Sequence, residues 1–155
     1  MPKRIHLIAG ILSPLLIATF FTSTVLVELF GSHAAIAHLK SLIVTPGLWI
    51  LIPCLVATGG SGMYIGRSRK GRLVENKRKR MPFIAANGLL VLVPCAIFLS
   101  RWASVGAFDA RFYIVQALEL LVGATNVTLL ALNVRDGLRL AGRLRAPASA
   151  AAPRS

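Results

Sequence analysis

Arg67-Ser68-Arg69-Lys70-Gly71-Arg72 and, shortly after, Lys77-Arg78-Lys79-Arg80 separate two long apolar runs. Clustered positive charge resists translocation, so such a segment stays on the cytoplasmic side of a membrane. Working outward, Lys3 and Arg4 precede the first apolar run, and Arg135, Arg139, Arg143 and Arg145 follow the last. Fifteen of the 18 Lys and Arg residues thus fall on one side; the other side has Lys40, Arg101 and Arg111. Four apolar runs account for this alternation: His6 to Phe30, about Leu42 to Gly66, about Pro82 to Ser100 and about Phe112 to Leu132. Each exceeds the roughly 17 residues that cross ~30 Å of hydrocarbon at about 1.5 Å per residue. Lipid cannot pair free backbone groups, so a span is a helix or part of a closed barrel. Continuous apolar runs without alternation select helices. The sequence predicts an all-α, four-helix transmembrane bundle with both termini cytoplasmic.

Composition agrees. The chain is 55% hydrophobic and 15% charged, with a mean hydropathy of +0.71. A soluble domain has about 25% charged residues. A formal charge of +13 on a soluble protein would suggest nucleic acid. Here the bases sit at helix ends and in one loop, so topology explains them and no nucleic-acid partner is expected. Anionic lipid at the cytoplasmic face is the expected neighbour of the arginines after run four. Residues 1–145 read as one domain, and 146–155, rich in Ala, Pro and Ser, as a disordered tail. Run one, with Lys3 and Arg4 before it and Ala35-Ile36-Ala37 after it, has a signal peptide as its rival reading. Its length exceeds the about 7–15 residues of a signal core, so it is read as a helix.

Between runs one and two, Ala35, Ile36, Leu39 and Leu42 or Ile43 have the spacing of a short amphipathic helix on the outer surface. Trp102 and Tyr113 suit the outer interface. Leu51-Ile52-Pro53-Cys54 and Leu92-Val93-Pro94-Cys95 echo each other. Both prolines predict kinks. The two thiols fall at similar depths, and either bind soft Cu(I) together or are small buried side chains beside kinks.

Two sets of polar residues ask for a role. Glu119 lies well inside run four, where a carboxylate is costly and by default functional. Gln116, Gly123 and Asn126 share its face, and Thr19, Thr22 and Ser23 of run one are offered as partners. The readings are interhelical glue, a proton relay or a ligand contact. The second set lies in the cytoplasmic half: His6 and Gly10 on run one, Gly59, Gly60 and Gly62 on run two, Asn87 and Gly88 on run three, Asn126 on run four. Small residues at one level let backbones approach, or leave a slot for a flat ligand. His6 beside such a slot predicts haem b, with His6 as an axial ligand, Met63 or Met81 as a second, and Arg67 or Arg69 on the propionates. The residues expected to line it are His6, Gly10, Gly60, Met81, Asn87, Glu119 and Asn126. His33 and His38 are further candidate metal ligands. On a regular helix they point roughly 140° apart, which opposes a shared ion.

The stretches His6-Leu7-Ile8-Ala9-Gly10, Val27-Glu28-Leu29-Phe30-Gly31-Ser32-His33, Ala57-Thr58-Gly59-Gly60-Ser61-Gly62, Arg80-Met81-Pro82-Phe83-Ile84-Ala85-Ala86-Asn87-Gly88 and Gln116-Ala117-Leu118-Glu119-Leu120 resemble a group of small, largely uncharacterised four-helix inner-membrane proteins of bacteria. The architecture is more distantly similar to the four-helix membrane b-type cytochromes. It departs from them in lacking paired histidines on facing helices. Redox or electron transfer through haem b is the function these features imply. A subunit that binds a partner helix through Glu119 and a small proton-coupled transporter are the alternatives, in each case with a weak homodimer expected. Two cysteines form no disulfide framework, and no HExxH or phosphate-binding glycine loop is present.

Overall fold

The computed structural model describes residues 2–66 and 72–140; the side chains at 2–6, 63, 65, 66, 72, 73, 76–78 and 140 are outside that description. The basic run at 67–71, the arginines beyond 140 and the expected tail at 146–155 lie outside the described residues. Every described element is a helix: α1 Pro2–Phe30, α2 His33–Leu42, α3 Trp49–Gly66, α4 Arg72–Ala86, α5 Val93–Ser104 and α6 Ala110–Leu140. Wide, π-helical segments join α2 to α3 (Ile43–Leu48) and α4 to α5 (Asn87–Leu92). Four helical stretches are long and apolar enough to cross a membrane: Leu7–Phe30, His33–Gly62, Lys79–Ser104 and Ala110–Arg139. This is a multi-pass membrane protein. The second apolar helical stretch reaches back to His33, beyond the start expected near Leu42, because α2 continues through the wide turn into α3.

Local sequence sets the turns. Ser32 caps α2 by accepting a hydrogen bond from the Ala35 amide at 3.2 Å. Gly31 makes the preceding turn possible, since a Cβ there would lie 2.5 Å from the Val27 carbonyl oxygen. At the end of α5, Gly106 has φ +73°, the left-handed conformation glycine takes without strain. Asp109 then caps α6, accepting from the amides of Arg111 at 3.0 Å and Phe112 at 3.1 Å.

The spans pack as a ring. α1 packs along α3 and also meets α2 and α6; α2 packs on α5; α6 takes both α4 and α5. Neighbours in sequence are thus neighbours in space, as short connections require. The end where α1 turns into α2 and α5 into α6 (the turn end) holds an apolar core of Ile36, Cys95, Leu99, Ala103 and Phe112. Ile36 belongs to this core, and α2 packs against α5 through it. Toward the other, basic end, α3 packs mainly on α1 and α4 mainly on α6.

The second span is broken, and the third widens without a break. Thr45 adopts φ −139°, ψ 113° inside the first wide turn. Proline disfavours the helical conformation in the residue before it, and Pro46 follows Thr45. The break therefore falls at Thr45-Pro46, whereas Pro53 lies inside an uninterrupted α3. Pro94 comes at the first turn of α5, directly after the second wide turn. Ile43 is ten residues from His33 and Leu92 twelve from Ser104. That places the break about 15 Å and the widening about 18 Å from the turn end. Gly47 is buried in the break, where a Cβ would approach Phe20 Cζ to 2.7 Å and the Leu42 carbonyl oxygen to 3.0 Å. Gly47→Ala therefore displaces the Phe20 ring and presses on the Leu42 carbonyl. We expect a loss of about 1–2 kcal/mol in detergent unfolding, in the range of overpacked cores. Unchanged stability would show that the break is not held against α1.

Candidate functional site

α6 presents one polar face along its whole length. Phe112, Gln116, Glu119, Gly123, Asn126, Leu130 and Asn133 follow at alternating steps of four and three, and Asp136 continues the row. Such a row faces one side of a helix. Gln116, Asn126, Asn133 and Asp136 are each at most 4% exposed. Gly123 lets Phe21 of α1 approach, with a Cβ there only 3.1 Å from Phe21 Cδ2.

Near the turn end, Lys40 Nζ donates to Glu119 Oε2 at 2.5 Å. The lysine is 1% exposed and the glutamate 13%. Gln116 Nε2 donates to the same Oε2 at 3.1 Å. Lys40 reaches the carboxylate from the last turn of α2, where a cation also complements the helix dipole. Gln116 Oε1, beside the pair, and Glu28 Oε1 on α1 are buried and have no donor.

Further along α6, Asn126 donates to the Ile84 carbonyl at 3.2 Å and accepts from Asn87 Nδ2 at 3.3 Å. Asn133 Nδ2 meets Met81 Sδ at 3.4 Å. Arg80 Nη1 donates to Asp136 Oδ2 at 2.8 Å, and Arg135 Nε lies 3.5 Å from Oδ1. The row therefore begins at one buried ion pair and ends at another, 17 residues along α6. That is about 26 Å of helix axis.

The expected residues separate into groups. Glu119, Gln116, Gly123 and Asn126 do share a face, and Glu119 takes Lys40 as its partner. Thr19, Thr22 and Ser23 line a shallow groove on α1 with Leu15 and Ala18. The expected glycine level divides in two. Gly10 approaches Thr58 on the α1–α3 side, and Gly59 and Gly60 have open space where a Cβ would stand. Asn87, Gly88 and Met81 belong instead with Asn126 and Asn133 on the α4–α6 side. His6 is in α1, but its side chain, like that of Met63, is outside the described residues. His33 is exposed and stacks on Phe108, with ring centroids 4.1 Å apart; His38 is exposed too. Among the described residues no group of three or more His, Cys, Asp or Glu side chains gathers to hold a metal ion. The cysteines are free and sit in different packings: Cys54 lines a groove between α1 and α3, and Cys95 is in the turn-end core.

Sequence reasoning missed Asn133 and Asp136 as members of the row, and Lys40 and Arg80 as its partners. The signal for Lys40 was present: a single base among apolar residues and a single acid inside run four each need a partner in lipid. No known family matches the chain, and neither a curated protein nor a solved structure does.

Proposed function

We propose that this chain is a small proton-coupled carrier of the bacterial inner membrane, with Lys40 and Glu119 as its proton-binding site. Its basic ends face the cytoplasm by the charge rule, and α2 stands at the outer face. One observation carries the reading: an ion pair buried inside membrane spans, beside a break in the helix that supplies its lysine. Intramembrane charges are expensive and mark ion or proton paths by default, and broken helices accompany such sites in carriers.

The pair suits proton transfer. A proton arriving at Glu119 neutralises the carboxylate and removes the counter-charge of Lys40. The unpaired ammonium is then costly in low dielectric and favours releasing its proton. The released proton leaves through water admitted when the basic end opens, past Asn126 and Asn133 to Asp136. The neutral amine recovers a proton from Glu119, which restores the ion pair. The cycle moves one proton and leaves both groups as they began. Thr45 and the two wide turns give the interior spans the freedom to open one end at a time.

Glu119→Gln keeps an acceptor for Lys40 and cannot ionise. In liposomes with an imposed pH gradient, we expect its proton uptake to fall to the leak of empty liposomes. Uptake at the wild-type rate would end the relay reading.

Haem b held through His6 is the second reading, and the open face at Gly59 and Gly60 beside α1 favours it. Its test is the absorption spectrum of protein expressed with ample haem. A Soret band that sharpens with dithionite and disappears in His6→Ala would replace the carrier by a redox protein. A flat visible spectrum would remove haem.

A further inference from the structure

The outward face of α1 carries a regular seam. Leu12, Leu15, Thr19, Thr22, Leu26 and Leu29 follow at alternating steps of three and four, and all six are exposed. That alternation is the 3.5-residue repeat of a left-handed coiled coil. The seam covers 17 residues, about 26 Å of helix axis, most of the ~30 Å hydrocarbon core. Its centre is polar: Thr19 and Thr22, with Ser23 beside them, stand near the middle of the Leu7–Phe30 span. A hydroxyl on a helix in lipid can turn back to the carbonyl four residues earlier. Ser13, Thr58, Ser61, Thr125 and Thr128 all do so, and Thr125 and Thr128 are as exposed as the seam. Thr19, Thr22 and Ser23 make no hydrogen bond among the described residues. Acyl chains offer them no partner either.

The groove at this level has the outline of a coiled-coil hole. Leu15, Ala18, Thr19 and Thr22, with Ser23, line a groove of about 340 Å³ on α1. In a parallel pair of helices, the hole for one knob is made by four residues of the facing helix, at i, i+3, i+4 and i+7. With Thr19 as the knob and two identical helices in register, that hole is Leu15, Ala18, Thr19 and Thr22. Two copies in one membrane share their orientation, so a two-fold axis along the membrane normal sets each seam residue beside its own equivalent. A hydroxyl both donates and accepts, which makes Thr19 and Thr22 their own complements. The seam residues carry no charge, so chains of +13 each meet there without like charges face to face.

We infer that this seam holds α1 of a second copy, with Thr19 of each protomer seated in the groove of the other and the central hydroxyls bonded across the axis. Leucines pack above and below, and polar central positions fix the register. Lys40, Glu119 and the polar row of α6 stay inside each protomer, so the pairing is independent of the carrier reading.

The test uses the full chain in liposomes, with donor- and acceptor-labelled copies mixed at falling protein-to-lipid ratios. We expect energy transfer above random proximity. Thr19→Val with Thr22→Val keeps the shape and removes both hydroxyls from an exposed face; it should raise the dissociation constant about tenfold. A second measurement locates the contact. With Cys54 and Cys95 replaced by Ala, mild oxidation should link copies that carry Thr19→Cys or Leu26→Cys. Leu121→Cys, 70% exposed on α6, should not link. Energy transfer at the level of random proximity means that lipid covers the seam, and it overturns the pairing. Wild-type affinity in the double valine variant overturns it, as does linkage at Leu121→Cys in place of the seam. So does a Thr19→Cys adduct with a different protein in native membranes. The energy-transfer comparison keeps both native cysteines, so it decides the matter even if their replacement impairs folding.

Discussion

Lys40→Met lowers the stability of the folded bundle by about 3–5 kcal/mol, the cost of leaving one charge of a buried pair alone. Adding Glu119→Leu recovers most of that loss, because two apolar side chains of similar size then fill the space. The reasoning rests on burial: the lysine is 1% exposed and the carboxylate 13%. Gln116 could hold the abandoned Glu119 through one bond, which softens the single variant without replacing a cation. Reversible unfolding in mixed micelles, across the two single variants and the double variant, measures the coupling. The double variant also separates structure from function. If the pair were only glue, a stable double variant would behave as wild type in every assay. In the carrier it folds and moves no protons. A coupling energy under about 0.5 kcal/mol would put the pair in the class of exposed ion pairs and remove the premise of the site.

The architecture was legible because lipid and charge impose it. Run one was placed within a residue of the Leu7–Phe30 span, and the face of Gln116, Glu119, Gly123 and Asn126 emerged from helical spacing alone. Lys40 was not, because a lone base before a predicted span reads as a topology marker until α2 is known to pack on α5. Residues 33–42 are apolar enough to continue a span and polar enough to lie outside one. What decides between them is Ile36, whose neighbours Cys95, Leu99 and Phe112 come from far along the chain. The break at Thr45-Pro46 was hidden for a different reason. Pro46, Pro53 and Pro94 have the same local effect in a sequence. The chain interrupts its helix at Pro46, beside the buried Gly47, and carries it on through Pro53. Arg80 reads in the sequence as a cytoplasmic charge of a helix end, and nothing there singles out Asp136. Their pairing needs the inward turn of α6 against α4, which spacing shows only once Glu119 and Asn126 have fixed the face.

Asp136→Leu is expected to lose about 2–3 kcal/mol, less than Lys40→Met. Asp136 is 2% exposed, but its partners reach water: the side chain of Arg80 is 24% exposed and that of Arg135 is 48%. Stranded arginines here can be solvated, whereas a stranded Glu119 in the span cannot. The loss is then mainly the charge-assisted hydrogen bond from Arg80, about 1.5–3 kcal/mol for such a bond. Asp136→Asn keeps an acceptor for Arg80 and should lose about half as much. A cycle with Arg80→Met isolates the bond from the general effect of removing an acid among bases. Salt gives a second check, since a buried pair is screened far less than an exposed one. If the Asp136–Arg80 coupling vanished at high salt, the pair would be a surface contact and α6 would carry one buried ion pair, not two. If it persisted, α4 would be fastened to α6 at the basic end as α2 is fastened near the turn end. A carrier must release these two fastenings in turn. Proton uptake in Asp136→Leu should be slowed, not abolished, because the variant removes the carboxylate at the proton's exit and leaves Lys40 and Glu119 in place.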